Sequence, residues 1–195
     1  MNKKEIIWRK ILYQASEEGK YNFIQQELAQ EHGFSVSTVF QALQVPRRSG
    51  IVDVGGRGFS LIDFEKLLYL WSTVRNIEKD IIYTTHISKN VTEIEGELPP
   101  SAIFGFFSAF RKKFDTVPTD YDRVYAYINE KNLDDIKQRF PASRGYENLF
   151  ILAPDPWLEK FGNITPSVQM FADLWNTPEW YAKDFVNALR DRFNL

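Results

Sequence analysis

The chain of 195 residues contains no cysteine. That excludes a disulfide framework, a thiolate metal site and a cysteine nucleophile. A reducing cytoplasm is the compartment this composition fits, so a cytoplasmic protein is expected. Long apolar runs are missing as well. No stretch approaches the roughly 18 uninterrupted apolar residues of a membrane span, and no membrane partner is expected. The start, Met1 to Trp8, is basic but has no apolar run before Arg9 and Lys10, so it is not read as a signal peptide. Histidine is scarce. His32 and His86 stand alone, without a second ligand at zinc spacing, and neither metal nor cofactor is expected. Gly-x-Ser-x-Gly and a glycine-rich phosphate loop ending in Lys-Ser/Thr are both absent.

What is present suffices for a folded core. Apolar residues make up 44% and charged residues 26%, which argues against intrinsic disorder. The net charge of −2 is unevenly spread. Residues 1–76 carry ten Lys/Arg against eight Asp/Glu, and residues 77–195 carry fourteen against eighteen. A basic patch is therefore expected in the first part.

Residues 1–76 read as one domain. Ile7, Trp8, Ile11, Leu12 and Ala15 fall on one face of a helix over Lys4 to Ser16. Phe23 to Gln30 reads as a second helix, stopped by His32-Gly33. Ser35 reads as the N-cap of a third, running to about Val45 and broken by Pro46. Two strand-like runs around Gly55-Gly56-Arg57-Gly58 then give a hairpin, and Asp63 to Val74 a further amphipathic helix. The order helix, helix, helix, hairpin is that of a winged helix-turn-helix, and the expected partner is double-stranded DNA.

Seven residues near the third helix, and one at the wing tip, are the expected DNA contacts. Val36, Val39, Phe40 and Leu43 share a face that can pack inward. Ser37, Thr38, Gln41 and Gln44 fall opposite. Hydroxyls such as those of Ser35, Ser37 and Thr38 can reach phosphate, and glutamine can bond adenine bidentately in the major groove. Arg47 and Arg48 follow directly, and Arg57 at the hairpin tip is placed for a minor groove or a phosphate. The outer face of the helix has no Arg or Lys. Affinity must then come from Arg47, Arg48 and Arg57, with Lys3, Lys4 and Lys20 in support, and a homodimer or tandem sites are expected. The segment Ser35-Val36-Ser37-Thr38-Val39-Phe40-Gln41-Ala42-Leu43 resembles the recognition helix of bacterial and archaeal winged-helix regulators. A winged helix used for protein contact is the alternative.

Residues 77–195 read as an α/β domain for regulation or interaction. Strands are expected at Asp80 to Ile87, Val124 to Ile128 and Leu149 to Leu152. Helices are expected at Ala102 to Phe114, Asp134 to Phe140, from Thr165-Pro166-Ser167 onward, and at Glu179 to Phe193. Trp157, Trp175, Trp180, Tyr181 and Phe185 read as core. One constellation bears on catalysis. Phe104-Gly105-Phe106 followed by Asp120-Tyr121-Asp122 and a strand has the spacing of polymerase-β-type nucleotidyltransferases, whose paired aspartates hold Mg²⁺. Phe106 stands where glycine or serine is needed, Arg123 where an apolar residue is usual, and only Glu147 offers a third carboxylate. Asp120 and Asp122 read equally well as turn residues. The expectation is a non-catalytic domain; an Mg-dependent nucleotidyltransferase is the alternative.

Four segments carry a resemblance over most of the chain. They are Leu98-Pro99-Pro100-Ser101-Ala102-Ile103-Phe104-Gly105, Asp122 to Tyr127, Glu147 to Asp155, and Thr165 to Asn176. Together with the N-terminal domain they resemble the AbiEi-type regulators and antitoxins of type IV toxin–antitoxin or phage-defence loci. The last segment is similar to a Ser-Pro-Val-Gln-x-x-x-Asp-Leu-Trp pattern of that family, with Pro166-Ser167 in transposed order. The resemblance implies an α+β protein. A winged helix would be followed by a mixed α/β domain resembling a degenerate nucleotidyltransferase-like fold. It also implies a DNA-binding repressor, with a nucleotidyltransferase-like toxin as a partner.

Overall fold

A computed structural model describes residues 1–56 and 58–195. The chain is mixed α+β and divides into two compact units, Met1–Arg75 and Asn76–Asn194.

In the first unit, α1 (Lys3–Glu18) begins on a capping box. The Asn2 side chain accepts from the Glu5 backbone N–H at 3.1 Å, and the Glu5 carboxylate accepts from the Asn2 N–H at 3.4 Å. The helix stops at Gly19, whose φ of 64° is the left-handed cap that glycine adopts without strain. Ile7, Trp8, Ile11 and Leu12 are buried along its inner face. Next come β1 (Asn22–Ile24), α2 (Gln25–Glu31), α3 (Val36–Ala42), α4 (Gln44–Arg48), β2 (Val52–Gly55), β3 (Gly58–Leu61) and α5 (Phe64–Val74). The strands form one antiparallel sheet in the order β1-β3-β2. Phe23 pairs with Phe59 in register and stacks on it at 5.1 Å, both rings facing the core. Gly58 is required there, because a Cβ at that position would lie 2.6 Å from the Phe23 carbonyl oxygen.

Two expectations change in this unit. Phe23 and Ile24, expected to open the second helix, lie with Asn22 in a strand, because β3 supplies their backbone partners. The third helix ends at Ala42 rather than near Val45, and Pro46 lies inside the separate short helix α4. Proline is tolerated in a first turn, where its missing N–H has no intrahelical partner to lose. A continuous helix through residue 46 would need that N–H to reach the Ala42 carbonyl. The indole of Trp8 donates to this carbonyl instead, at 2.9 Å in a buried setting. Trp8 thus anchors the end of α3 to α1. Trp71 on α5 donates to Glu5 at 3.3 Å, which fixes α5 to the same helix.

The second unit holds a four-stranded sheet in the order β4-β7-β6-β5, formed by β4 (Ile81–Thr85), β5 (Ile103–Phe104), β6 (Val124–Tyr127) and β7 (Leu149–Leu152). β6 and β7 run parallel, and β4 and β5 pair antiparallel with their neighbours. All four residues of β6 and of β7 are buried, as expected of parallel strands covered on both faces. The helices are α6 (Val91–Glu97), α7 (Phe106–Phe114), α8 (Leu133–Arg139), α9 (Ser167–Leu174) and α10 (Ala182–Phe193). α7 packs on β6, α9 and α10, and every residue of α9 is buried. Residues 103–104, expected to be helical, are a strand. They pair with Tyr127 and Ala126, and the Phe104 amide donates to the Asn163 carbonyl at 2.8 Å. Trp175 and Trp180, expected in the core, are 47% and 79% exposed, because the break at Thr177-Pro178 turns them outward between α9 and α10. Tyr181 and Phe185 are buried. Among the described residues, no helix is long and apolar enough to cross a membrane.

Candidate nucleic-acid interface

The short helices α3 and α4 carry the expected contact residues. The buried side of α3 is Val39, Ala42 and Leu43. Val36 and Phe40, expected to pack inward with them, are 47% and 43% exposed. The inner arc of this helix is centred further round than the apolar residues alone suggest, since Ala42 completes it. Val36 and Phe40 are left, one turn apart, beside the polar residues of the outer face.

The polar residues divide into two sets. Ser35 is the N-cap. Its hydroxyl accepts from the Thr38 backbone N–H at 3.1 Å and lies 2.9 Å from the Thr38 hydroxyl. These two side chains are occupied by the start of the helix. Ser37 and Gln41 are exposed, and Gln44 is half-buried at the start of α4.

Arg47 and Arg48 form the last turn of α4 and are both exposed. Among the described residues, no carboxylate pairs with either. The ε-ammonium of Lys66 fixes the chain just beyond them by donating to the Ser49 carbonyl at 2.7 Å. From Val36 to Arg48 the sequence has two arginines and no acidic residue. Of the supporting lysines, Lys3 lies over Phe34 at 5.4 Å, Lys4 over Trp8 at 5.0 Å and Lys20 over Phe23 at 5.7 Å. Arg57 lies outside the described residues.

The second unit places Asp120 and Asp122 on the loop before β6, both exposed. With Lys89, Asn90, Thr92, Tyr121 and Asn148 they line an open cleft of about 550 Å³. Asp122 accepts a hydrogen bond from the Tyr181 hydroxyl. Burial, together with this bond, raises the Tyr181 pKa above the ordinary tyrosine value. Glu147 instead accepts from Thr84 at 2.6 Å. No group of three or more His, Asp or Glu side chains among the described residues is arranged to hold a metal ion. Phe106 has a φ of 53°, a backbone conformation suited to glycine, and its fully buried ring stacks on Tyr125 at 4.2 Å.

Two ion-pair networks in this unit lay beyond reach of the sequence. Glu95, with its side chain 1% exposed, pairs with Arg111 and accepts from the Tyr121 hydroxyl at 2.7 Å. Glu179, with its side chain 2% exposed, pairs with Arg123 and accepts from the Tyr125 hydroxyl at 3.0 Å. Arg123 also lies over the rings of Tyr146 and Phe150 at 4.7 and 5.2 Å and donates to the Tyr146 hydroxyl. Burial and the neighbouring carboxylates push the Tyr121 and Tyr125 pKa values up. Burial acts to lower the Arg123 pKa, but its hydrogen bonds to Tyr125 and Tyr146 and the charge of Glu179 raise it overall. Compared with protein-family models, with curated proteins and with solved structures, the chain finds no match in any of the three.

Proposed function

We propose that residues 1–75 form a winged helix that binds double-stranded DNA, and that the protein is a transcriptional regulator. The observation that carries this reading is the pair Arg47 and Arg48: exposed, unpaired among the described residues, and next to a helix face without acidic residues. Surface arginines free of carboxylates are suited to phosphate. What supports the fold assignment is the run of helices α1 to α4 ahead of the β2–β3 hairpin, and a three-stranded antiparallel sheet. In this reading α3 lies in the major groove with Ser37, Gln41 and Gln44 toward the bases. Arg47 and Arg48 meet the backbone, and Arg57, which falls between β2 and β3 in the sequence, is proposed to join them. With so few cations, two copies of the domain act together on DNA.

The second unit serves regulation or partner binding. It is read as a degenerate relative of the nucleotidyltransferase fold, supported by the buried ring of Phe106 on a glycine-like backbone and by Arg123 held by Glu179. The resemblance to AbiEi-type regulators adds the reading of a repressor and antitoxin beside a nucleotidyltransferase-like toxin. Fluorescence anisotropy with a labelled 30-base-pair duplex, across a salt series, tests the DNA reading. The wild-type chain is expected to bind with a clear salt slope. Arg47→Ala with Arg48→Ala is expected to weaken binding at least tenfold and to lower the slope by about 2. An unchanged slope removes these arginines from the interface.

A further inference from the structure

Val36 and Phe40 are large apolar side chains left in water on the helix face that should otherwise be polar. They are 47% and 43% exposed, stand one turn apart, and neighbour Ser37 and Gln41. Nothing in the packing of α3 requires them, because Val39, Ala42 and Leu43 already complete its buried side. The same face lacks the residue types that read guanine. Bidentate recognition of guanine uses Arg or Lys, and α3 contains neither. Glutamine is suited to adenine, and an exposed phenylalanine or aliphatic side chain to the 5-methyl group of thymine. Gln41 and the two apolar side chains of the outer face therefore favour A·T pairs, and Ser37 is neutral between bases.

We propose that Val36 and Phe40 are specificity residues that seat thymine 5-methyl groups in the major groove, giving the protein a preference for A·T-rich DNA. The proposal rests on the DNA-binding reading and commits to DNA as the occupant of this face. Charge complementarity supports that choice. Arg47 and Arg48 lie seven and eight positions after Phe40, in the last turn of the next helix, and no acidic residue occurs between Val36 and Arg48 in the sequence. An anionic partner with apolar knobs on its recognition surface fits both features, and thymine-bearing DNA is such a partner.

The test uses the full chain and two duplexes of equal length and charge, alternating d(A-T) and alternating d(A-U). They differ only in the thymine methyl groups. Anisotropy titrations at one fixed salt concentration give the affinity ratio. Burying one methyl is worth about fourfold in affinity, so the thymine duplex is expected to bind at least about fourfold tighter. In Val36→Ala with Phe40→Ala the ratio is expected to fall to near one while the salt slope stays as in the wild type. Both residues are exposed, and circular dichroism checks that the variant folds. Equal binding of both duplexes by the wild type, with a normal salt slope, overturns the inference and leaves the DNA reading standing. No binding to either duplex overturns both. A thymine preference that survives in the double variant removes these residues from the role. A change of sedimentation coefficient in the variant, with the ratio unchanged, makes the apolar pair a protein contact and likewise overturns the proposal.

Discussion

Two pairs of arginines, one in each unit, are used in opposite ways. In the first, Arg47 and Arg48 end a short surface helix and face water with no carboxylate partner among the described residues. In the second, Arg111 and Arg123 are bound to the buried carboxylates of Glu95 and Glu179 and to nearby hydroxyls. An unpaired surface guanidinium keeps its hydrogen-bonding capacity for a partner. One that satisfies a buried carboxylate is committed to the fold, because releasing it would strand a charge in the interior. The phenylalanines of two helices show a parallel contrast. Phe40 is exposed on α3, whereas Phe106, Phe107 and Phe110 on α7 are buried against Tyr125 and Phe185.

The largest effect that could break this contrast is in the second unit. Arg123→Ala removes the guanidinium that pairs with Glu179, whose side chain is 2% exposed. An uncompensated buried charge costs about 3–5 kcal/mol. Urea unfolding of the variant is expected to show a loss of that size. Glu179→Gln together with Arg123→Ala is expected to recover much of it, because the stranded charge is gone. If the single variant loses less than about 1 kcal/mol, Arg123 is a surface ion pair like any other, and the proposed division between the units is wrong.

How much of this was legible in the sequence depends on the range of the interactions. α1, α5 and α10 were visible from local periodicity, and the cap at Ser35 from residue type. β1 and β5 were misread as helix because their partners lie far along the chain: Asn22 pairs with Ser60, and Ile103 with Tyr127. The exposed arginines of α4 were found because their neighbours in sequence are their neighbours in space. Arg123 was noticed only as an irregular residue after Asp122, since its partner Glu179 lies 56 positions on. Val36 and Phe40 show a different limit. A seven-residue helix has too few positions to fix its buried arc, and two placements of that arc fit the apolar pattern equally well.

A smaller effect would sharpen the account of the first unit. Trp8→Phe removes the indole donor to the Ala42 carbonyl and leaves a small void, which is expected to cost about 2 kcal/mol. Pro46 has no N–H to offer the Ala42 carbonyl, which the Trp8 indole meets instead. In a Pro46→Ala background the restored N–H can reach Ala42, so Trp8→Phe is expected to cost about 1 kcal/mol less there. A double-mutant cycle by urea unfolding measures the difference. Additive effects would mean that Trp8 acts by packing alone.

The smallest expected effect is a pH dependence confined to the second unit. Tyr121, Tyr125 and Tyr181 are largely withdrawn from water, and each hydroxyl donates to a carboxylate: Glu95, Glu179 and Asp122 respectively. Burial and the adjacent negative charge both disfavour the phenolate, so all three pKa values lie above the ordinary value of about 10. A pKa raised in the folded state contributes stability that is complete below the unfolded value. It is lost as pH rises past about 10 toward the folded values. Thermal unfolding between pH 7 and 11 should therefore show a melting temperature that is steady up to about pH 9 and then declines. The tyrosinate absorbance of these three, read as the difference between the wild type and each phenylalanine variant, should rise together with unfolding rather than before it. Replacing Tyr121, Tyr125 and Tyr181 one at a time with phenylalanine should flatten the alkaline decline stepwise, because phenylalanine cannot ionise. If the decline keeps its full slope in each of the three variants, ordinary exposed tyrosines and lysines account for it, and the hydroxyl–carboxylate pairs contribute no pH dependence.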